Sequence, residues 1–296
     1  MKRATLRADA ILLLAAAIWG GAFVAQRVAM QHMGPFTFNG LRFALGALVV
    51  LPVIAWRGRR VAYRDPVDAL QHSGATRLHI ASGLVAGLVL FVGASLQQAG
   101  LVYTTASKAG FITGLYVPLV PIFGLLVGQR TRATTWAGAG LAVVGLYYLS
   151  VTEALRVNAG DALVLACAAV WAVHVLLIDR FARWADPLRL AFVQFVLVAV
   201  ASLLVAAFTE RNSTGAVWAT LVALLYGGLF SVGIAYTLQV VGQRETPPGH
   251  AALVFSLEAV FAAVAGYMLL GERLGAREIC GAALMLAGTL LSQLRR

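Results

Sequence analysis

The feature of this sequence that most limits its fold is a series of apolar runs, each about twenty residues long and separated by short polar clusters. A helix rises about 1.5 Å per residue, so such a run matches the ~30 Å hydrocarbon core of a bilayer. Only 12% of the 296 residues are charged and 60% are apolar, whereas about 25% of a soluble domain is charged. The sequence therefore predicts an all-α integral membrane protein.

The apolar runs between turn-forming residues predict ten transmembrane helices. Their ranges are 8–30, 36–56, 78–100, 106–128, 133–152, 158–179, 187–209, 217–241, 249–270 and 276–294. The longest polar segment, 57–77, is predicted to be a loop. The basic and then apolar start resembles a signal peptide, but equally apolar runs follow it, so we interpret it as the first retained helix.

The net charge of +11 comes from basic residues that collect between the apolar runs. With the N-terminus in the cytoplasm, the inner segments hold sixteen Lys and Arg residues and the outer loops hold four. The positive-inside rule then predicts a multi-pass protein of the inner (plasma) membrane with both termini cytoplasmic. Basic residues in this arrangement predict contact with the lipid bilayer and no nucleic-acid partner. A homodimer is compatible with the sequence.

The sequence contains no motif for ATP hydrolysis, metalloprotease chemistry or a nucleophilic serine. Its two cysteines, Cys167 and Cys280, lie in apolar runs and are predicted to be small buried residues. We therefore predict no cofactor, no metal and no catalytic residue.

The two halves of the chain resemble each other. Pairs at a spacing of 152 are Asp9 and Asp161, Trp19 and Trp171, and Pro35 and Pro187. GQRTRA (128–133) returns as GERLGA (271–276), and Gly138 and Gly145 return as Gly281 and Gly288 at a spacing of 143. These matches predict two five-helix repeats, 1–152 and 153–296. Because five is odd, the second repeat is inverted relative to the first, an arrangement typical of transporters that work by alternating access.

Several motifs resemble those of EamA-type proteins of the drug/metabolite transporter superfamily. They are A-x-x-W on the first helix of each half (Ala16–Trp19 and Ala168–Trp171), ASKAGFITGLYVPLVP (106–121) and G-E-R (271–273). The resemblance covers the whole chain. It implies a ten-helix inner-membrane carrier, often an exporter of amino acids or related small metabolites, with a central cavity.

One departure from the family pattern concerns the fourth helix of each half, which often carries a proline. The first half has Pro118 and Pro121, whereas the second has Ala259. The difference predicts that the two halves bend unequally.

Glu258 lies near the predicted bilayer midplane, where an acid costs about 2.5–3.5 kcal/mol on insertion scales, so we expect it to face the bundle interior. It could take up and release a coupling proton, or form a structural ion pair with Arg42 or Lys108. Arg42 could bind a substrate carboxylate through both ends of its guanidinium, pair with Glu258, or reach outward. Lys108 could gate the outer mouth or simply anchor its helix at the interface.

The remaining candidates are aromatic or neutral polar residues. Trp19 and Trp171 occupy matching depths and could form walls of a binding cavity or pack in the core. His174, one turn from Trp171, could exchange protons or be an ordinary core histidine. The polar candidates for orienting a small-molecule substrate, or for joining helices, are Gln97, Gln98, Tyr116 and Gln239.

These residues fit three classes of protein. A secondary transporter would bind a small amino-acid-like or drug-like metabolite at the midplane. An intramembrane enzyme would use Glu258 and His174 as acid and base within hydrogen-bond reach. A membrane scaffold would have a dry, filled interior. The absence of catalytic motifs favours the transporter.

Overall fold

The computed structural model describes residues 2–64, 66–104, 106–150, 158–211, 214–270 and 275–293, and within these ranges it contains helices and no strands. The helices are α1 (Lys2–Ala29), α2 (Pro35–Arg64), α3 (Pro66–Tyr103), α4 (Ala106–Gly114), α5 (Tyr116–Leu126), α6 (Ala133–Ser150), α7 (Ala159–Ala182), α8 (Pro187–Thr209), α9 (Thr214–Ala219), α10 (Leu221–Leu225), a π-helix (Tyr226–Tyr236), α11 (Thr237–Gln243), α12 (Pro248–Ser256), α13 (Glu258–Leu270) and α14 (Ala276–Gln293).

Eight stretches of the described chain are long and apolar enough to cross a membrane, and α6 adds a shorter apolar helix, Ala133–Leu149. Large apolar side chains cover the outside of the bundle, including Phe208, Val222 and Leu126, which are each more than 80% exposed. Water does not tolerate a surface of this kind, whereas lipid does. The protein is therefore a multi-pass membrane protein.

The predicted loop 57–77 is wrong. The backbone of α2 continues to Arg64 and that of α3 begins at Pro66. Arg, Ala, Leu and Gln are strong helix formers, so the polar residues mark where the helices leave the hydrocarbon and not where they end. The prediction for Cys280 is also wrong, because its side chain is exposed, while Cys167 is buried as predicted.

Two of the membrane-spanning stretches are interrupted at leucines 142 residues apart. Leu115 separates α4 from α5, and Leu257 separates α12 from α13. Both leucines have φ −64° and ψ −9°. The backbone N–H of each donates to the carbonyl three residues earlier, as in a 3₁₀ turn. The breaks therefore match locally, although the prolines predicted unequal bending.

The two breaks have different causes. Pro118 has no N–H to offer the preceding turn, which disrupts the helix in the first half. In the second half, the Leu253 carbonyl accepts the hydroxyl groups of Ser256 (2.8 Å) and Thr289 (3.3 Å). At the Leu253 carbonyl these hydroxyls replace the Leu257 N–H, which donates to the Val254 carbonyl instead. Side-chain hydroxyls thus produce the break that proline produces in the other half.

Helices α6 and α14 pack against each other through glycines. Gly138 approaches Gly288, and Gly145 approaches Gly281. Because residue numbers rise along α6 as they fall along α14, the two helices are antiparallel. A Cβ atom on Gly138 would lie 2.5 Å from the carbonyl oxygen of Gly288, which is too close for van der Waals contact.

We expect Gly138→Ala to lower the apparent melting temperature of the detergent-purified protein, because the added methyl would push α6 and α14 apart. Gly140→Ala is the matched control, since a Cβ there meets nothing within 4 Å. It should keep or slightly raise the melting temperature, because alanine favours a helix over glycine by about 1 kcal/mol. Equal melting temperatures for the two variants would contradict the close contact.

Glu210, which follows α8, fixes the start of α2. Its carboxylate accepts the backbone N–H groups of Phe36 and Thr37 at 2.8 Å and the Thr37 hydroxyl at 2.7 Å. A negative charge at this position satisfies donors that the first turn leaves unpaired and complements the helix dipole. The contact sets the position of α2, which carries Arg42 into the bundle.

Candidate functional site

A cavity lies inside the bundle between residues from both halves of the chain. The space open to the centre of a water-sized sphere is about 60 Å³, several times the ~10–15 Å³ that one water needs. It is lined by Trp19, Ala22, Phe23, Gln26, Arg42, Gln97, Thr113, Tyr116, Trp171, Val175, Ser231, Tyr236, Gln239, Phe255 and Glu258. A cavity that polar side chains help to line argues against the filled interior that a scaffold would have.

Matched residues of the two halves meet at this cavity. We call two residues matched when they lie 152 apart on α1, α2, α7 and α8, or 142 apart between the segments 79–126 and 221–270. Trp19 and Trp171 are one such pair, and both line the cavity. Gln97 and Gln239 form a second pair there. The third is Tyr116 and Glu258, which directly follow the two helix breaks.

Aromatic rings form one wall of the cavity around Tyr236. The Tyr236 ring meets the edge of Trp19 at a centroid distance of 4.9 Å and stacks against Trp171 at 6.1 Å. Phe255 meets Trp19 at 5.4 Å. The Trp19 indole N–H donates to the Ser231 carbonyl in the π-helix (3.2 Å), which fixes the ring. The tryptophans are therefore walls of the cavity, and π-helical segments often occur at functional sites.

Arg42, on α2, lines the cavity with its positively charged side chain and is only 2% exposed. Its Nε–H donates to Asn39 Oδ1 at 3.0 Å, and the Asn39 amide donates to the Ala94 carbonyl at 3.1 Å. Its guanidinium also lies over the rings of Phe38 and Phe43, 5.3 and 5.2 Å from their centroids. No carboxylate lies within ion-pair distance of Arg42 among the described residues.

Glu258 is the first residue of α13 and is 9% exposed. Within the described part of the chain, its carboxyl group has neither an ion pair nor a side-chain hydrogen bond. The alternative of a structural ion pair between Glu258 and Arg42 is therefore not realised. The acid and the base both face the cavity, and neither is neutralised by the other.

Two glutamines add unsatisfied acceptors to the cavity. The side-chain oxygens of Gln26 and Gln239 are buried and have no hydrogen-bond donor in the described part of the chain. The Gln239 amide N–H donates to Gln243 Oε1 at 2.9 Å, which holds the side chain in place. A buried acceptor without a donor is costly, so a ligand or water that offers N–H or O–H groups would be stabilised here.

Two of the predicted site residues, Gln98 and His174, do not line the cavity. Gln98 is fully buried beside it and donates to the Gln26 carbonyl at 3.5 Å. His174 packs against Trp171, and its Nε2 lies 2.8 Å from Gln194 Oε1. Because His174 lies outside the cavity that Glu258 lines, the geometry does not favour an acid–base pair of these residues. The side chain of Lys108 falls outside the described part of the structure.

The lining of the cavity differs between the two halves at two matched positions. His174 is matched to Ala22, and Gln194 is matched to Arg42. In the second half the imidazole and the amide fill the space between α7 and α8. In the first half the matched residues are Ala22 and Arg42, which both line the cavity, and Arg42 has no ion pair among the described residues.

Sequence reasoning missed several lining residues, of which Gln26, Ser231 and Tyr236 matter most. A signal for Gln26 was present, because Trp19, Ala22, Phe23 and Gln26 follow the i, i+3, i+4, i+7 pattern of one helix face. Tyr236 and Gln239 share a face in the same way. Ser231 has no such signal, since the π-helix changes which side chains point inward.

The described residues contain no cluster of three or more His, Cys, Asp or Glu side chains that could hold a metal ion.

The sequence pattern of the EamA-like transporter family matches this chain twice, at residues 6–151 and 158–294. The chain belongs to the EamA-like transporter family. An uncharacterized transporter of Archaeoglobus fulgidus is 34% identical over 296 residues, which cover 98% of this chain and 87% of that protein. These matches confirm the resemblance that the motifs indicated.

A second relative of this EamA-like protein has a more specific name. The "Probable amino-acid metabolite efflux pump" of Salmonella typhimurium is 25% identical over 301 residues, covering 97% of this chain and 95% of that protein. The fold is also that of a protein of known crystal structure, with a TM-score of 0.78, 21% identity, and coverage of 97% of this chain and 96% of the other.

Proposed function

We propose that this EamA-like protein is a secondary transporter that moves a small zwitterionic, amino-acid-like metabolite across the inner membrane by alternating access. The observation that carries the proposal is that the guanidinium of Arg42 and the carboxyl group of Glu258 face one small cavity and form no ion pair with each other. Buried charges without partners are costly in a membrane protein and are typical of substrate and ion pathways.

Each part of an amino acid has a complement among the cavity residues. The guanidinium of Arg42 can donate two parallel hydrogen bonds to a carboxylate. Glu258 and the acceptor oxygens of Gln26 and Gln239 can accept the three N–H bonds of an ammonium group. The aromatic wall around Tyr236 offers an apolar surface to the substrate side chain. The volume limits the substrate to a compact molecule.

Alternating access would follow from two inverted five-helix repeats, 1–152 and 153–296, that together cross the membrane ten times. The matched contacts support this arrangement. Gly138 contacts Gly288 and Gly145 contacts Gly281, as expected where two matched helices pack around a two-fold axis in the membrane plane. The interruptions at Leu115 and Leu257 also fall at matched positions. Two such halves could exchange conformations and so expose the cavity first to one side and then to the other.

We further propose export, with both termini in the cytoplasm. The excess of basic residues in the segments assigned to the inner side supports the orientation. The name of the Salmonella typhimurium relative supports the direction and the amino-acid class.

The substrate class is tested by thermal shift with matched ligands. Alanine carries both charges, propionate lacks the ammonium group, and ethylamine lacks the carboxylate. We expect alanine, or another small amino acid in a panel, to raise the apparent melting temperature at concentrations where the corresponding acid and amine have no effect, because a ligand that binds only the folded state stabilises it. Counterflow of the same amino acid in proteoliposomes should then show transport. Stabilisation by none of the amino acids, or equally by the acid or amine alone, would contradict zwitterion recognition.

A further inference from the structure

The two halves contact each other at both ends of the bundle through one shared pattern. A Cβ on Gly242 would meet Leu12 and the Ala8 carbonyl, and a Cβ on Gly100 would meet Val164 and the Gly160 carbonyl. Gly242 is matched to Gly100, and residues 8 and 12 are matched to residues 160 and 164. The same helix contact is therefore built twice from matched positions.

The two contacts lie at opposite ends of α1. Gly242 lies beside Leu12, near the start of this helix, whereas Arg27 near its end donates to the Leu101 carbonyl, next to Gly100. At about 1.5 Å per residue, Leu12 and Arg27 are roughly 22 Å apart along the helix. Asp9 therefore lies at one end of the bundle and its match, Asp161, lies at the other.

The hydrogen bonds at the two ends differ although the helix contacts match. At one end, the Thr104 hydroxyl donates to Asp161 Oδ1. At the other end, the matched threonine is Thr246, which is 2% exposed and whose hydroxyl has no hydrogen-bond partner among the described residues. Asp9 instead lies 3.2 Å from His250 Nε2, while His250 Nδ1 contacts the Ser292 hydroxyl.

A buried hydroxyl without a hydrogen-bond partner costs free energy, so we expect the Thr246 hydroxyl to find an acceptor in another conformation. Thr246 lies between Gly242 and His250, which contact residues 8, 9 and 12 of α1. Asp9 is thus the nearby carboxylate in the matched geometry. If the two halves exchange conformations, the end of the bundle at Asp9 takes the arrangement that the end at Asp161 has here.

We infer that Thr246 and Thr104 are matched positioning residues of a two-ended latch. In the conformation described here, the latch is the hydrogen bond from Thr104 to Asp161 at one end and the 3.2 Å contact between His250 Nε2 and Asp9 at the other. In the opposite conformation, the Thr246 hydroxyl donates to Asp9. This inference rests on the proposed alternating access, and it names the side chains whose hydrogen bonds set the balance between the two conformations.

The test measures access to the cavity from each side of the membrane. In a background with Cys167→Ala and Cys280→Ala, Ala22→Cys places one thiol at the cavity, and a membrane-impermeant thiol reagent is added to either face of proteoliposomes. Thr104→Val removes the hydrogen bond to Asp161 that is present in the conformation described here. Thr246→Val removes the proposed hydrogen bond to Asp9, which forms only in the opposite conformation. We expect the ratio of labelling from the two faces to shift in opposite directions, by about tenfold in each variant, given a charge-assisted bond in each case.

The serine variants are the matched controls. Thr246→Ser and Thr104→Ser keep the hydroxyl and should label as the parent does. Shifts in the same direction, or no shift in either valine variant, overturn the inference. The counterflow rate with Cys167 and Cys280 in place gives a second measurement, in which Thr246→Val slows exchange at least threefold and Thr246→Ser restores it; an unchanged rate in Thr246→Val overturns the inference as well.

The labelling result is separate from the substrate assignment. Opposite shifts without stabilisation by any amino acid would support the latch and reject the zwitterion. Amino-acid binding and counterflow without opposite shifts would support the transporter and reject the latch.

Discussion

Replacing Arg42 by glutamine should abolish the preference for a carboxylate in the ligand. Two charge-assisted hydrogen bonds contribute about 1.5–3 kcal/mol each, so we expect the affinity for the amino acid that stabilises the parent protein to fall by about a hundredfold or more. The affinity for the matching amine, which has no carboxylate, should stay the same. The measurement is ligand-dependent thermal shift, followed by counterflow of the labelled amino acid.

Two further variants separate the role of the guanidinium from that of charge alone. Arg42→Lys keeps the charge but loses the planar fork, so it should recover only part of the affinity. Arg27→Gln is the matched control, because Arg27 donates to the Leu101 carbonyl and does not line the cavity. It should leave the ratio of amino-acid to amine affinity unchanged. An Arg42→Gln variant that keeps the parent ratio would show that the carboxylate binds elsewhere.

Replacing Glu258 by glutamine should remove the dependence of transport on a pH gradient. The substitution keeps the size and hydrogen-bonding atoms of the side chain but cannot take up or release a proton. We expect gradient-driven transport in proteoliposomes to fall to the rate measured without a gradient, while counterflow, which needs no net driving force, continues at a reduced rate. The reduction reflects the lost attraction between the carboxylate and the substrate ammonium group.

Tyr116→Phe is the control for this experiment. Tyr116 is matched to Glu258 and lines the same cavity after the equivalent helix break. Its loss of a hydroxyl should change substrate affinity but leave the stimulation by a pH gradient intact. If Glu258→Gln retains the full stimulation, another group carries the proton or transport is not proton-coupled.

The unequal lining of the cavity shows how two similar halves can make one asymmetric site. The matched positions at 22 and 174 differ by a single imidazole, and those at 42 and 194 differ between a cation and an amide. In the second half His174 Nε2 lies 2.8 Å from Gln194 Oε1, and neither residue lines the cavity. In the proposed transporter, the half whose two residues do not contact each other is the half that offers a charged group to the substrate.

The membrane class, the family and the matched residues could be predicted from the sequence. Apolar runs of about twenty residues admit few structures other than membrane-spanning helices, because lipid offers no partner for backbone N–H and C=O groups. The position of Trp19, Trp171 and Glu258 at an internal cavity could also be predicted, because a tryptophan repeated at one depth and an acid near the midplane both favour a polar interior.

The ends of the helices and the partners of the polar residues were not predictable in this way. Local sequence did not indicate that α2 extends to Arg64, nor that hydroxyls of Ser256 and Thr289 would interrupt a helix at a point where no proline follows.

The sequence alone determined that this chain lies in a membrane and that its halves repeat, because hydrophobicity and residue spacing are properties of the chain itself. The tertiary structure decided that His174 contacts Gln194 and that Arg42 and Glu258 face one cavity without forming an ion pair with each other. It also decided that the Thr104 hydroxyl has a hydrogen-bond partner, whereas the Thr246 hydroxyl has none among the described residues. Each of these depends on which side chains from distant segments meet, and in a chain of similar apolar helices many pairings satisfy the same pattern.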